Sequence, residues 1–148
     1  VETHTVDGRS QSLCVHRKGA TRAFGPGRAE LPEVFRRTGH PVLVPGDMAS
    51  GSYVLVGAEA AMRETFGSCC HGAGRLMSRS EARRTLRADA LRAELEGEGI
   101  AIRAGSGAGL VEEAPQAYKD LDRVVNVVEQ TGLARRVART RPLGVIKG

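Results

Sequence analysis

Tryptophan is absent, and only five aromatic side chains stand in the 148 residues: Phe24, Phe35, Tyr53, Phe66 and Tyr118. An aromatic-poor core must be built from Val, Leu, Ile and Ala. Each of these buries little area, so the chain folds with little stability to spare. Cysteine is scarce too. Cys14, Cys69 and Cys70 make an odd count with no Cys-x-x-Cys pair, and adjacent cysteines rarely bridge in a relaxed backbone. That usage fits a reducing, cytoplasmic compartment. No run approaches the ~18 consecutive apolar residues of a membrane span, and no signal-peptide core opens the chain. Transmembrane and secreted readings are therefore set aside. The Gly-x4-Gly-Lys-Ser/Thr pattern of a P-loop does not occur. The histidines at 4, 16, 40 and 71 show no His-x-His or His-x3-His spacing. Cys69, Cys70 and His71 are contiguous and so poorly placed to chelate one ion together. Spacing offers no self-contained metal site.

Glycine and arginine are what the chain has in quantity. The length suits one domain with a single core. The 19 glycines are unusual beside so few rings. The net charge is +5 with a pI near 9.6, and arginine far outnumbers lysine. Arginine excess favours bidentate recognition of phosphate or carboxylate, which makes nucleic acid, nucleotide or another polyanion the natural partner class. Charge alone leaves a merely basic protein equally open. The first residue is Val1 and not Met, which points to an excised segment or to a larger protein whose remainder lies outside this sequence.

Periodicity outlines the elements. Ser10–Arg17 alternates as a strand, Phe24-Gly25-Pro26-Gly27 is a loop by turn chemistry, and Pro41–Val44 and Ser52–Val56 are buried strands around Pro45-Gly46. Ala58–Phe66 has helical composition and ends at Gly67. Ser68–Arg75 is a glycine-flanked loop that no regular element explains. Ser78 and Glu81 have capping-box spacing and introduce a helix over about 79–96, closed by Gly97 and Gly99. Ile100–Arg103 is a strand and Gly105–Gly109 a flexible loop. Over Asp120–Thr131 the residues Leu121, Val124, Val125 and Val128 fall at i, i+3, i+4 and i+7, the face of a helix. The tail from Leu133 reads as extended. Strands and helices mix without a strict βαβ rhythm, so the fold class is α+β, a mixed sheet with packed helices.

His71 stands out among groups that could do chemistry. Gly72 and Gly74 remove side chains beside it, which allows a ligand close to the backbone and exposes amides to an anion. Arg75 follows, and Arg79, Arg83 and Arg87 continue at four-residue spacing. On a continuous helix the last three make one basic stripe whose N-terminal end points back at the loop. The bland reading is a loop histidine in a tight turn beside a solvated arginine face; the flanking glycines favour the functional one. His16-Arg17-Lys18 with Arg22 reads as a phosphate clamp or as a basic strand end. The segment 45–52 reads as a nucleotide-contacting loop or as an ordinary connection. Asp47, Glu112 and Glu113 have no partner visible in the sequence.

Five segments together resemble a known family: HRKGATRAF (16–24), PVLVPGDMASGSYVLV (41–56), FGSCCHGAGRLMSR (66–79), EEAPQAYK (112–119) and RPLGVIKG (141–148). They look like the C-terminal part of the catalytic domain of RtcB-type RNA-splicing ligases, in order and over nearly the whole chain. The resemblance implies an enzyme that uses GTP and manganese. It forms a covalent histidine–GMP intermediate and joins RNA 3′-phosphate or 2′,3′-cyclic phosphate ends to 5′-hydroxyl ends. The RNA would be tRNA halves or broken RNA, often with the activating protein archease. Carried over residue by residue, His71 matches the guanylylated histidine. Pro45, Gly46, Asp47, Met48, Ser52, Gly72, Ala73, Gly74, Tyr118 and Lys147 match the nucleotide-binding positions, with Tyr118 against the guanine and Lys147 contacting it. Arg75 and Arg79 match candidates for RNA phosphates.

The family's manganese ligands have no counterpart within these residues, so the resemblance places the metal on a portion N-terminal to this segment. His4 is no substitute. The segment alone is then expected to be inactive or nearly so. A rival reading is a truncated, non-catalytic remnant that binds RNA or nucleotide without ligating. Asp47 departs from the small residue usual at its position, and Cys69-Cys70 departs from the usual pair before the histidine.

Overall fold

The computed structural model describes residues 1–148. Short helices alternate with four small sheets in an α+β fold, and the chain gathers into two compact units.

The first unit takes residues 1–44, 53–72 and 125–138. Strands β1 (Glu2–Val6) and β2 (Arg9–Leu13) form an antiparallel hairpin that turns at Asp7-Gly8, where both residues have positive φ. Two left-handed central residues match the right-handed twist of the flanking strands. The strand expected over Ser10–Arg17 stops at Leu13, because β1 offers partners only from Val6 back to Glu2. Next, β3 (Ala20–Arg22) pairs antiparallel with β6 (Ser68–Cys70), Thr21 opposite Cys69. Ser68–Cys70, expected as part of a loop, is thus a strand without a local pattern that predicts one, since its partner comes from far along the chain.

Helix α1 (Glu33–Arg36) is one turn long, and β4 (Pro41–Pro45), β5 (Ser52–Gly57) and β8 (Ala134–Thr140) form a three-stranded sheet in the order β4-β5-β8. Val42, Val44, Tyr53 and Leu55 from that sheet are buried, as are Ala61 of α2 (Glu59–Glu64) and Val125 and Val128 of α6 (Leu121–Gln130). Phe24 is buried too, ringed by the guanidinium groups of Arg22, Arg28 and Arg17 at 5.0, 5.3 and 5.9 Å from its centroid.

The second unit takes residues 45–52, 73–124 and 139–148. Its core joins Met48, Leu91, Leu95, Ile100, Ile102, Leu110, Val111 and Ala114, small aliphatic side chains as the composition requires. Helices α4 (Ala88–Gly97) and α5 (Gly107–Glu112) pack against β7 (Ala101–Ala104), α3 (Arg79–Thr85) packs on α5, and β7 pairs in parallel with β9 (Gly144–Lys147).

Two expectations fail here. The single helix over 79–96 is broken at Leu86 and Arg87, whose φ/ψ of −105°/150° and −109°/127° are extended. The break turns Leu86 onto the core, and Arg87 pairs with Asp89 at 2.8 Å in place of extending an arginine stripe. The expected flexible loop over Gly105–Gly109 is largely helix: Ser106 caps α5 by accepting from the Gly109 N–H at 3.0 Å, and Leu110 and Val111 anchor it in the core. The expected cap of α3 is present, with Ser78 Oγ accepting from the Glu81 N–H at 3.2 Å.

Candidate functional site

Within the second unit, the loop after β4 is held by its own residues. The Gly46 N–H donates to the Gly51 carbonyl at 2.9 Å. Asp47 uses both carboxylate oxygens at home: Oδ1 accepts from the N–H groups of Ala49 and Ser50 at 2.8 and 2.9 Å, and Oδ2 from the Ser50 hydroxyl at 2.6 Å. Here Asp47 caps a turn, which accounts for a carboxylate at a position where a phosphate would repel one. Met48 drops into the core. The Pro45 carbonyl accepts from the Ala73 N–H at 3.0 Å, and the Ser52 carbonyl from the Thr140 hydroxyl at 3.2 Å.

After Ala73 the chain runs beside the segment that carries Tyr118. The Lys119 N–H donates to the Gly74 carbonyl at 2.9 Å, the Leu76 N–H to the Ala117 carbonyl at 2.8 Å, and Arg75 and Tyr118 form an antiparallel bridge. Gly74 has φ +78° with nothing nearer than 3.8 Å to where a Cβ would sit, so the open side of this turn is clear. Arg75 lies over the Tyr118 ring at 4.8 Å and donates through Nη1 to the Tyr118 hydroxyl at 3.0 Å.

Two carboxylates that had no visible partner organise the rest. Glu113 accepts from the Tyr118 hydroxyl, from Arg75 Nη1 at 3.3 Å and from Arg79 Nε at 3.1 Å, with Lys147 Nζ at 3.8 Å. Glu112 pairs with Arg83 at 3.0 Å and with Arg79 at 3.7 Å. Burial works against the charge on Glu113. Hydrogen bonds from Tyr118 and Arg79, with the charges of Lys147 and Arg75, outweigh it and hold the carboxyl below its ordinary range. Burial, joined by the bond to Glu113, pushes the Tyr118 phenol up.

These contacts converge on one cavity of about 360 Å³, lined among others by Gly46, Asp47, Met48, Glu113, Tyr118 and Lys147. Five of these six come from three separated stretches picked out in the sequence. Glu113 was missed as a site residue; its position five residues before Tyr118 was the only local sign. A larger cleft of about 890 Å³ lies in the first unit against β1 and touches none of the candidate residues. His71 and Gly72 belong to the first unit, directly after β6. The His71 side chain is exposed and makes no hydrogen bond or ion pair, which leaves its ring nitrogens free. Arg17 and Arg22, read as a possible phosphate clamp, both donate to Glu2, while Lys18 is exposed. No three His, Cys, Asp or Glu side chains converge where they could hold a metal ion.

Residues 1–148 match the family model described as tRNA-splicing ligase RtcB. The chain belongs to the RtcB family. Among curated relatives, the tRNA-splicing ligase RtcB of Archaeoglobus fulgidus is 60% identical over 147 residues, covering 99% of this chain and 30% of that protein. The proteins of the same name from Thermococcus kodakarensis and Pyrococcus abyssi are 57% and 56% identical over 148 residues. They cover all of this chain, which spans 31% and 16% of their lengths. This RtcB-family chain therefore spans under a third of each of these relatives. The matched stretches run the full length of this chain, through the segments that carry His71, Tyr118 and Lys147.

Proposed function

We propose that this chain supplies the nucleophilic histidine and part of the guanylate pocket of a GTP-dependent RNA ligase. The ligase joins 3′-phosphate or 2′,3′-cyclic phosphate ends to 5′-hydroxyl ends, acting on tRNA halves or broken RNA in the cytoplasm, with archease as an activating partner. The observation that carries the reading is the cavity in which Gly46, Asp47, Met48, Tyr118 and Lys147 meet. Their motifs are far apart in sequence, and a packed core alone has no need to gather a tyrosine and a penultimate lysine around one opening.

In this reading a neutral His71 imidazole attacks the α-phosphorus of GTP. A P–N bond forms, the α–β phosphoanhydride breaks and pyrophosphate leaves. Gly72, Ala73 and Gly74 keep side chains out of the path of the guanylate, Tyr118 stacks on the base and Lys147 holds it. Pro45 and Ser52 frame the loop. Arg75 and Arg79 face RNA phosphates. The residues present do not form a manganese site; in this reading the ligands that would hold manganese lie outside these residues. No helix is long and apolar enough to cross a membrane.

The test replaces the matching segment of the Archaeoglobus fulgidus relative with this chain and incubates the chimera with manganese and GTP labelled at the α-phosphate. Label should stay on denatured chimera, pass to RNA bearing a 3′-phosphate, and fall to background with His71→Ala. Label that persists in His71→Ala would overturn the assignment. So would an unlabelled chimera beside a labelled parent, which would leave a remnant that binds without ligating.

A further inference from the structure

Glu113 is the only carboxylate in the second unit on which groups from both halves of the proposed site converge. The Tyr118 hydroxyl and the Lys147 ammonium face the base in the reading above, and Arg75 and Arg79 face RNA phosphates. Each carboxylate oxygen takes one group of each kind: Oε2 meets Tyr118 and Arg75, and Oε1 meets Lys147 and Arg79. Its side chain is 18% exposed, so these attractions act with little solvent screening. A carboxylate offers about four acceptor positions, and here hydrogen bonds from three side chains and the charge of a fourth draw on them. With Glu112 taking Arg83, four cations share two carboxylates. The surplus positive charge remains to attract phosphate, while Glu113 fixes where its carriers sit.

We propose that Glu113 is a positioning residue that sets the guanine-facing pair Tyr118 and Lys147 in register with the phosphate-facing pair Arg75 and Arg79. This rests on the ligase reading above. Glu113 has three of its acceptor positions taken by hydrogen bonds and acts through its four partners. Losing its charge leaves Lys147, Arg75 and Arg79 repelling one another around a neutral side chain, so the lysine and the phenol drift from the geometry that holds guanine. The chemistry at His71 is untouched once nucleotide is bound.

Glu113→Gln and Glu113→Asp test this in two arms. In the chimera, Glu113→Gln should raise the GTP concentration for half-maximal labelling about tenfold, equivalent to ~1.4 kcal/mol, with the maximal labelling rate within about threefold. Glu113→Asp should recover part of that loss. Independently, the 148-residue chain has two tyrosines and no tryptophan, so phenolate absorbance reports Tyr53 and Tyr118, and Tyr118→Phe assigns them. The Tyr118 titration should move to lower pH in Glu113→Gln, because the carboxylate beside it raises it. An unmoved tyrosine titration overturns the proposal, as does a wild-type chimera that labels while Glu113→Gln labels with unchanged half-saturation. A wild-type chimera that never labels overturns the ligase reading and this one together, an outcome distinct from the failure of this one alone.

Discussion

Arg17 grips Glu2 with both arms of its guanidinium, Nη1 to Oε1 and Nη2 to Oε2, each at 2.8 Å. The same carboxylate accepts from Arg22 at 2.8 Å and bonds His4 Nε2 at 3.0 Å, and its side chain is only 8% exposed. Arg17 reaches on to the Ser68 hydroxyl at 2.8 Å and the Phe66 carbonyl at 2.9 Å. A single bidentate pair therefore ties β1 to the start of β6, the strand that delivers His71.

The network makes stability depend on pH. The hydrogen bond from Arg17 is the largest influence on Glu2; against the cost of burial, and with help from His4 and Arg22, it lowers the carboxyl from 4.5 to about 2. Because the folded value is the lower one, the contribution is complete above about 4.5 and is lost as pH falls toward 2. The difference corresponds to about 3 kcal/mol. Urea denaturation of wild type and Glu2→Gln should differ by roughly that much at pH 7, with the gap closing between about pH 5 and pH 2. A gap that stays constant across that range would sink the argument.

Glycine substitutions separate crowding from conformation in the second unit. Gly51 has φ +85°, and a Cβ there would run into the Thr140 carbonyl; Gly74 has φ +78° but open space around it. Gly74→Ala should cost only the left-handed penalty, ~1–2 kcal/mol. Gly51→Ala should cost clearly more, about 3 kcal/mol or above, since the end of β8 must also move. Denaturation midpoints measure both, and equal losses would contradict the crowding.

Local signals were enough for much of this. The strands at Pro41 and Ser52, the N-cap at Ser78 and the apolar face of α6 follow from turn chemistry and periodicity, and the structure has all of them. The misses share a cause. Ser68–Cys70 is a strand only because Ala20–Arg22 lies alongside, and Gly107–Glu112 is a helix because Leu110 and Val111 find a core that no glycine count reveals. Leu86 breaks an otherwise helical pattern for the same core. The site divides likewise. Its loop, tyrosine and terminal lysine stood in recognisable motifs, whereas the roles of Glu112 and Glu113 depend on arginines far earlier in the chain and on Lys147. Pairing at such separations leaves no periodicity behind.

Cys70, the residue before His71, yields the last prediction. A hydrogen bond from Cys69 is the main influence lowering its thiol from 9.0 to about 7; burial opposes the shift and the backbone N–H of Gly72 assists it. The contact and burial push the Cys69 thiol up. A lowered value means that the reactive thiolate prevails above neutral pH, and Cys70 is half-buried where Cys69 is buried. Iodoacetamide should therefore label Cys70 in the native chain with a rate that reaches half its plateau at a pH of about 7, while Cys69 stays unmodified by peptide mapping. In Cys69→Ala the half-point should move up toward 9.0, because the neighbouring donor is gone while burial remains. A half-point that does not move would mean that the backbone of the His71 loop, and not the adjacent thiol, holds the charge on Cys70.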